Sequence, residues 1–208
     1  MAKPVIILGA GGHARVIAEA LQRSGKAILG LLDARIPAYT AVSGLMVLGG
    51  DEHLVDYSPN DVELANGIGS LPGKCEDRLR VFRTYKEKGY GFATVIHPSA
   101  VLPEELALGE GAQVMAGAIL QPGVAVGINS IINTGAIVDH DCIIGDHCHI
   151  APGTVLSGGV RVGDEAHIGT GAHVIQGMVI GRGAVVAAGA TVYRPVAEGV
   201  CYIPGKHP

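Results

Sequence analysis

From Ile96 onward the chain keeps a period of six. Ile96, Leu102, Leu108, Val114, Leu120, Val126, Ile132, Val138, Ile144, Ile150, Leu156, Val162, Ile168, Val174, Ile180, Val186 and Val192 form an unbroken aliphatic series. The residue four places on is small or modest, as at Ala112, Ala118, Ser130, Ala136, Cys142, Cys148, Thr154, Ala166, Ala172, Ala184 and Ala190. Glycine follows the aliphatic position at 109, 127, 145, 163 and 181, an interval of eighteen. Six residues per side and eighteen per turn describe a triangular coil of short parallel strands, a β-solenoid whose coils bury their aliphatic residues against one another. The composition agrees: 48% of residues are hydrophobic, yet there is no Trp and there are only two Phe, so the core is built from thin layers of small aliphatics.

The first part of the chain has a different rhythm. "VIILG" reads as a buried strand, and Val16, Ile17, Ala20 and Leu21 form one apolar helical face that stops near Gly25. Ala27 to Asp33, Gly44 to Gly50 and Val62 to Gly69 read as further strands. "KCEDRLRVFRTYKEKG" reads as an amphipathic helix with Leu79, Phe82 and Tyr85 inward and Gly89 as its stop. Alternating strands and helices predict a small Rossmann-like parallel sheet. The expected division is residues 1–92 for this α/β domain and 93–208 for the solenoid and its tail.

A net charge of −4 with 16% charged residues speaks against nucleic-acid binding and against disorder. No apolar run is long enough to span a membrane. The start has no signal-peptide cleavage site, and four scattered cysteines make no disulfide framework, so a cytoplasmic protein is expected.

"NTGAIVDHDCIIGDHCHIAPG", residues 133–153, concentrates histidine, aspartate and cysteine. The six-residue phase turns Cys142 and Cys148 inward, away from convergence with His140, His147 and His149, so no metal site is expected. The histidines fall outside the repeat core, and His147, His167 and His173 are read as solvated. His149 and His167, eighteen apart, should stack about 4.8 Å from each other on successive coils. Gly158, eighteen beyond His140, leaves His140 facing a gap with room for a ligand. Asp139 and Asp141 flank His140 and stabilise its imidazolium, which suits a general base near neutral pH.

"GAGGHA", residues 9–14, lies between strand and helix in a G-x-G-x-x-A pattern, and Asp33 ends the next strand. Such a turn lets backbone amides approach a phosphate. A sheet of about 90 residues is only half of a dinucleotide fold, and no substrate domain accompanies it, so a nucleotide other than NAD is favoured.

Together the GAGGH turn, Asp33, "NGIGS" (66–70), "TVIHPSA" (94–100) and the 133–153 segment resemble the bacterial hexapeptide-repeat sugar acetyltransferases with an N-terminal nucleotide-sugar pocket. These include the N-acetyltransferases of UDP-linked 4-amino sugars and of GDP-perosamine, and the sialic acid O-acetyltransferases. The resemblance implies a left-handed β-helix, acetyl-CoA as co-substrate, a homotrimer, and a UDP- or GDP-linked 4-amino-4,6-dideoxy sugar as acceptor. It implies His140 as general base with Asp141 raising its basicity. Substrate contacts are implied at Gly11, Gly12, His13, Asp33, Gly67 and Asn133, and cofactor contacts at His149, Gly158, Thr170 and Ala188. The tail, "YIPGKHP", departs from the family's G-x-P-A-K/R loop and leaves open whether Lys206 meets a CoA phosphate.

Three other readings stand beside this one. They are a sugar O-acetyltransferase on the same scaffold, an NAD-dependent oxidoreductase resting on GAGGHA and Asp33, and a non-catalytic β-helix scaffold.

Overall fold

The computed structural model describes residues 3–73 and 75–205; Lys206 lies outside them. The first part is a six-stranded sheet in the order β3-β4-β2-β1-β5-β6, built from β1 (Val5–Leu8), β2 (Ile28–Leu32), β3 (Ala41–Val42), β4 (Leu45–Gly49), β5 (Glu63–Asn66) and β6 (Gly91–Phe92). All neighbours are parallel except β3 and β4, a short antiparallel pair at the edge. The expected strands are present. The segment between Asp33 and Gly44, which has no periodicity, supplies β3, and a 3-10 helix spans Asp51–Asp56.

Two helices follow the expected phases with adjustments. In α1 (Gly12–Arg23) the buried face is Ala14, Ile17, Ala18, Ala20 and Leu21. Val16 is 41% exposed, a correction that shifts the buried stripe toward Ala14 and Ala18. In α2 (Glu76–Glu87) Phe82 and Tyr85 are buried, Leu79 is half-buried, and Arg78 is fully buried beside them.

The solenoid has three flat faces. One carries seven strands, from Val95–Ile96 through Gln113–Val114, Ile131–Ile132, His149–Ile150, His167–Ile168 and Val185–Val186 to Cys201–Tyr202. The other two carry five strands each, and successive partners in all but the last pairing stand eighteen residues apart, as Ile131 with His149 and Ile137 with Val155. The aliphatic series and the small series make one continuous core, with Val114, Ile132, Val138, Ile150, Leu156 and Val174 at 0–1% exposure. Cys142 and Cys148 are inside it, their thiols directed at backbone carbonyls of the next coil.

The corners follow a second period of six. From 111 to 189 every sixth residue has a positive φ; ten are glycine and the others are Asn129, Asp141, His147 and Glu165. This left-handed conformation reverses the chain between faces at little cost for Gly, Asn or Asp.

The α/β layer packs on the seven-stranded face. Met115 joins the core around α1, and Ile128 joins the one around Phe82 and Tyr90. Among the described residues no helix is long and apolar enough to cross a membrane.

Candidate active site: a histidine–aspartate corner and two clefts

His140 and Asp141 form one corner between the two five-stranded faces. Asp141 takes the left-handed turn position, φ 59°, which pushes the preceding side chain outward. The His140 backbone N–H donates to Asp139 Oδ1 at 2.8 Å, and His140 Nδ1 meets Asp141 Oδ2 at 2.8 Å. In the neutral ring this hydrogen bond places the proton on Nδ1 and leaves Nε2 as the basic nitrogen. The Asp141 hydrogen bond first, then the Asp139 charge, raise the pKa of His140 above its ordinary value. Each group lies over a glycine of an adjacent coil: Asp141 over Gly123, and His140 over Gly158, where a β-carbon would come 2.5 Å from Nε2. The expected empty gap beside His140 is therefore filled by its own ring. Gly158 belongs to this corner, away from the other expected cofactor residues.

The turn before α1 opens a second cluster. Gly9 has φ +91°, and a β-carbon there would be 2.9 Å from Ile68. Gly11 caps α1 and Gly12 begins it; both are exposed, and the first turn carries no acidic residue to oppose an anion. A cleft of about 400 Å³ lies beside this turn, lined by Gly9, Asp33, Arg35, Ile68, Asp77 and Arg80 among others. Asp33 is 6% exposed and accepts from Ala10 N, Arg35 N, Arg35 Nε and Arg35 Nη2 at 3.0–3.1 Å. The hydrogen bonds from Arg35 hold its pKa at about 2.

Two further expected substrate residues, His13 and Gly67, pack against the protein. His13 turns down onto the solenoid, where Nε2 meets Gln113 Oε1 at 2.8 Å, and burial lowers its pKa to about 4. Gly67 is buried, and a β-carbon there would strike Leu8 O at 2.6 Å and Ala14 Cβ at 2.8 Å. Its missing side chain makes room for the turn to pack, directly before Ile68 in the cleft wall.

A third cluster unites His149, Thr170 and Ala188. They line a cleft of about 230 Å³ between the solenoid and the loop Ser70–Pro72. His149 is 9% and His167 is 6% exposed, so both are buried, which for His167 corrects the expected solvated position. The reason is the α/β layer, which covers that face; the solenoid phase alone could not show it. Their rings are 4.7 Å apart, edge to face, on paired strands. His149 Nδ1 donates to Ser70 O at 3.0 Å and Nε2 accepts from Asn133 Nδ2 at 2.9 Å. Asn133 Oδ1 accepts from Thr134 N, which orients its amide and settles that tautomer. Burial, then His167, push the pKa of His149 down to about 3. Asn133 thus serves the His149 corner and stands a whole flat face away from His140. His147 is half-buried under α2, bonded to Asn129 and edge-on to Phe82, while His173 is exposed as expected.

The residue that sequence reading passed over is Arg78. Its guanidinium is buried and donates to Asn129 O, Asn66 O and Ile68 O at 2.8–3.1 Å. It ties α2, the solenoid and the loop after β5 together, with Gln113 Nε2 donating to Asn66 O beside it. Its signal was its place four residues before Phe82, on the inward stripe of α2. The loop it holds lines both clefts, with Ile68 in the first and Ser70, Leu71 and Pro72 in the second.

Residues 4–84 match the family model described as the PglD N-terminal domain. A comparison with curated protein sequences gives no match. The acetyltransferase domain of PglB from Neisseria gonorrhoeae, solved with acetyl coenzyme A, is 33% identical with a TM-score of 0.88, over 96% of this chain and 95% of that one. A histidine-to-alanine mutant of GDP-perosamine N-acetyltransferase from Caulobacter crescentus, solved with CoA and GDP-perosamine, is 38% identical with a TM-score of 0.87, over 96% and 92%. WeeI from Acinetobacter baumannii shares the fold at 24% identity, with a TM-score of 0.84 over 95% of both chains. The solenoid is accordingly a left-handed β-helix, and the chain belongs to the bacterial sugar acetyltransferases that join a PglD-type N-terminal domain to a hexapeptide-repeat domain, making it an acyltransferase.

Proposed function

We propose that this enzyme moves the acetyl group of acetyl-CoA onto the amine of a UDP- or GDP-linked 4-amino-4,6-dideoxy sugar. The observation that carries this reading is the hydrogen bond between His140 Nδ1 and Asp141 Oδ2, set on an exposed corner with Nε2 turned away from the carboxylate. The Caulobacter and Neisseria relatives, with their bound ligands, support the two substrates. The proposed division of labour puts residues 1–92 on the nucleotide sugar and 93–208 on acetyl transfer.

In the proposed reaction His140 Nε2 takes the proton that the amine loses as its nitrogen attacks the thioester carbonyl. Asp141 stabilises the imidazolium that results. Collapse of the tetrahedral intermediate breaks the C–S bond, and the departing thiolate takes the proton back from His140. Cys142 and Cys148 are buried with raised pKa values, which supports direct transfer without an acetyl-cysteine. Gly11 and Gly12 present the N-terminus of α1 to the diphosphate, and Arg35 and Arg80 offer charge at the cleft beside Asp33. Acetyl-CoA enters the cleft at His149, Thr170 and Ala188.

His140 and that cleft occupy opposite ends of one flat face. A homotrimer in which the His140 corner of one subunit meets the neighbour's cleft would unite them. Exposed Ile137, Ile143, Ile175 and Val179 around the His140 corner support such a covered surface.

The test is CoA release, followed with a thiol reagent, from acetyl-CoA offered to UDP-, GDP- and dTDP-linked 4-amino sugars and to free sialic acid. Turnover confined to a nucleotide-linked amine supports the proposal. Turnover on a hydroxyl sugar alone refutes it.

A further inference from the structure

One side chain in the cofactor cleft has no role in the account above. His167 stands between His149 and Val185 in the column of paired residues on the seven-stranded face. It is 6% exposed, forms part of the cleft wall, and its Nδ1 is buried with no hydrogen-bond partner among the described residues. His149, by contrast, has both ring nitrogens engaged. A buried polar atom left unpaired costs stability, and an aliphatic residue such as Val185 fills the same column without that cost. Burial holds the ring neutral, its pKa lowered to about 4, so at neutral pH it presents one N–H donor and one acceptor.

The remainder of the wall is largely apolar, with Leu71, Pro72, Ala151, Pro152, Val186 and Ala187. A group that fits there is slender and mostly hydrocarbon, with an amide where the imidazole stands. The pantetheine arm of CoA has that chemistry, two amides spaced by short carbon chains. We propose that His167 is a cofactor-binding residue that hydrogen-bonds an amide of this arm. The inference rests on the reading that acetyl-CoA enters the cleft at Thr170 and Ala188. Nδ1 has no hydrogen bond among the described residues to give up when the arm binds.

Three variants test it by calorimetric titration with CoA and with adenosine 3′,5′-bisphosphate, which lacks the arm. His167→Phe keeps an aromatic ring against His149 but removes both nitrogens. His167→Asn keeps a donor and an acceptor. Ala188→Trp blocks the cleft. The expected result is CoA binding weakened roughly three- to tenfold in His167→Phe, in proportion to one lost hydrogen bond. The bisphosphate is unaffected by that change, His167→Asn recovers part of the loss, and Ala188→Trp abolishes CoA binding. Unchanged CoA affinity in His167→Phe, with Ala188→Trp inactive in binding, overturns the role of His167 and leaves the cleft standing. Unchanged affinity in both overturns the cleft and the inference together. Equal losses for CoA and the bisphosphate in His167→Phe also overturn it, because a contact to the arm cannot produce them.

Discussion

The imidazole of His140 rests on Gly158, one coil further on, at a point where a β-carbon would stand 2.5 Å from Nε2. Gly158 has no left-handed φ, so alanine there meets no backbone strain and only the ring must move. Gly158→Ala should lower kcat at least tenfold while the KM for acetyl-CoA and the thermal midpoint stay close to those of the parent. A variant with full kcat would show that the ring's position is immaterial.

In the proposed mechanism Asp141 sets the pH at which His140 works. Its hydrogen bond raises the pKa of His140, so the basic form is lost as pH falls through that raised value. In Asp141→Asn the acidic limb of the kcat/KM profile should move to lower pH and the plateau should drop by about ten- to a hundredfold, the range of a weakened general base. His140→Ala should lose the limb altogether. An unmoved limb in Asp141→Asn would assign the titration to another group.

Acid should weaken the contact between the α/β layer and the solenoid. His13, His149 and His167 are buried there and neutral, with pKa values of about 4, 3 and 4 against an unfolded value near 6.5. Their stabilising contribution is whole above about pH 6.5 and falls as pH drops toward the folded values, by up to ~1.4 kcal/mol per pH unit for each ring. Asp33, at about 2, titrates lower and leaves that window to the histidines. Calorimetry from pH 8 to pH 5 should show the thermal midpoint declining from near pH 6.5; a level midpoint would count against neutral burial.

Arg78 should be the most sensitive position outside the clefts. Arg78→Met leaves Asn66 O, Ile68 O and Asn129 O without their shared donor and should cost about 3 kcal/mol in urea denaturation. Arg78→Lys should rescue little, because a single ammonium cannot span the fork that these carbonyls fit. A loss under 1 kcal/mol in Arg78→Met would mean that water replaces the guanidinium.

The solenoid was legible because its period is local: each coil repeats the same choice of inward side chain, so Val114 or Cys142 could be assigned a direction from spacing alone. The His140–Asp141 contact was legible for the same reason, being between neighbours. What spacing could not show is where one layer covers another. His167 looks like a surface residue of a coil, yet it is buried beside His149 where the Ser70 loop lies over that face, and the packing of Gly67 against Leu8 and Ala14 leaves no trace in the spacing. Arg78 shows the same limit from the other side, since a charged residue on an inward helical stripe is explained only by carbonyls from Asn66 to Asn129 that sequence distance keeps apart.

The eighteen-residue coil also governs how this chain can change length. Removing or adding one whole coil between matched corners returns every following side chain to its own face. Removing six residues turns everything beyond the cut by one face of the triangle. A six-residue deletion between Gly117 and Gly135 would carry His140 to the edge now held by Thr134, and every residue would still satisfy the aliphatic repeat. Such a chain would keep its aliphatic core while His149 left the face that Ser70 covers and His140 left its present corner, so length variation in this architecture is filtered by geometry in steps of three hexapeptides.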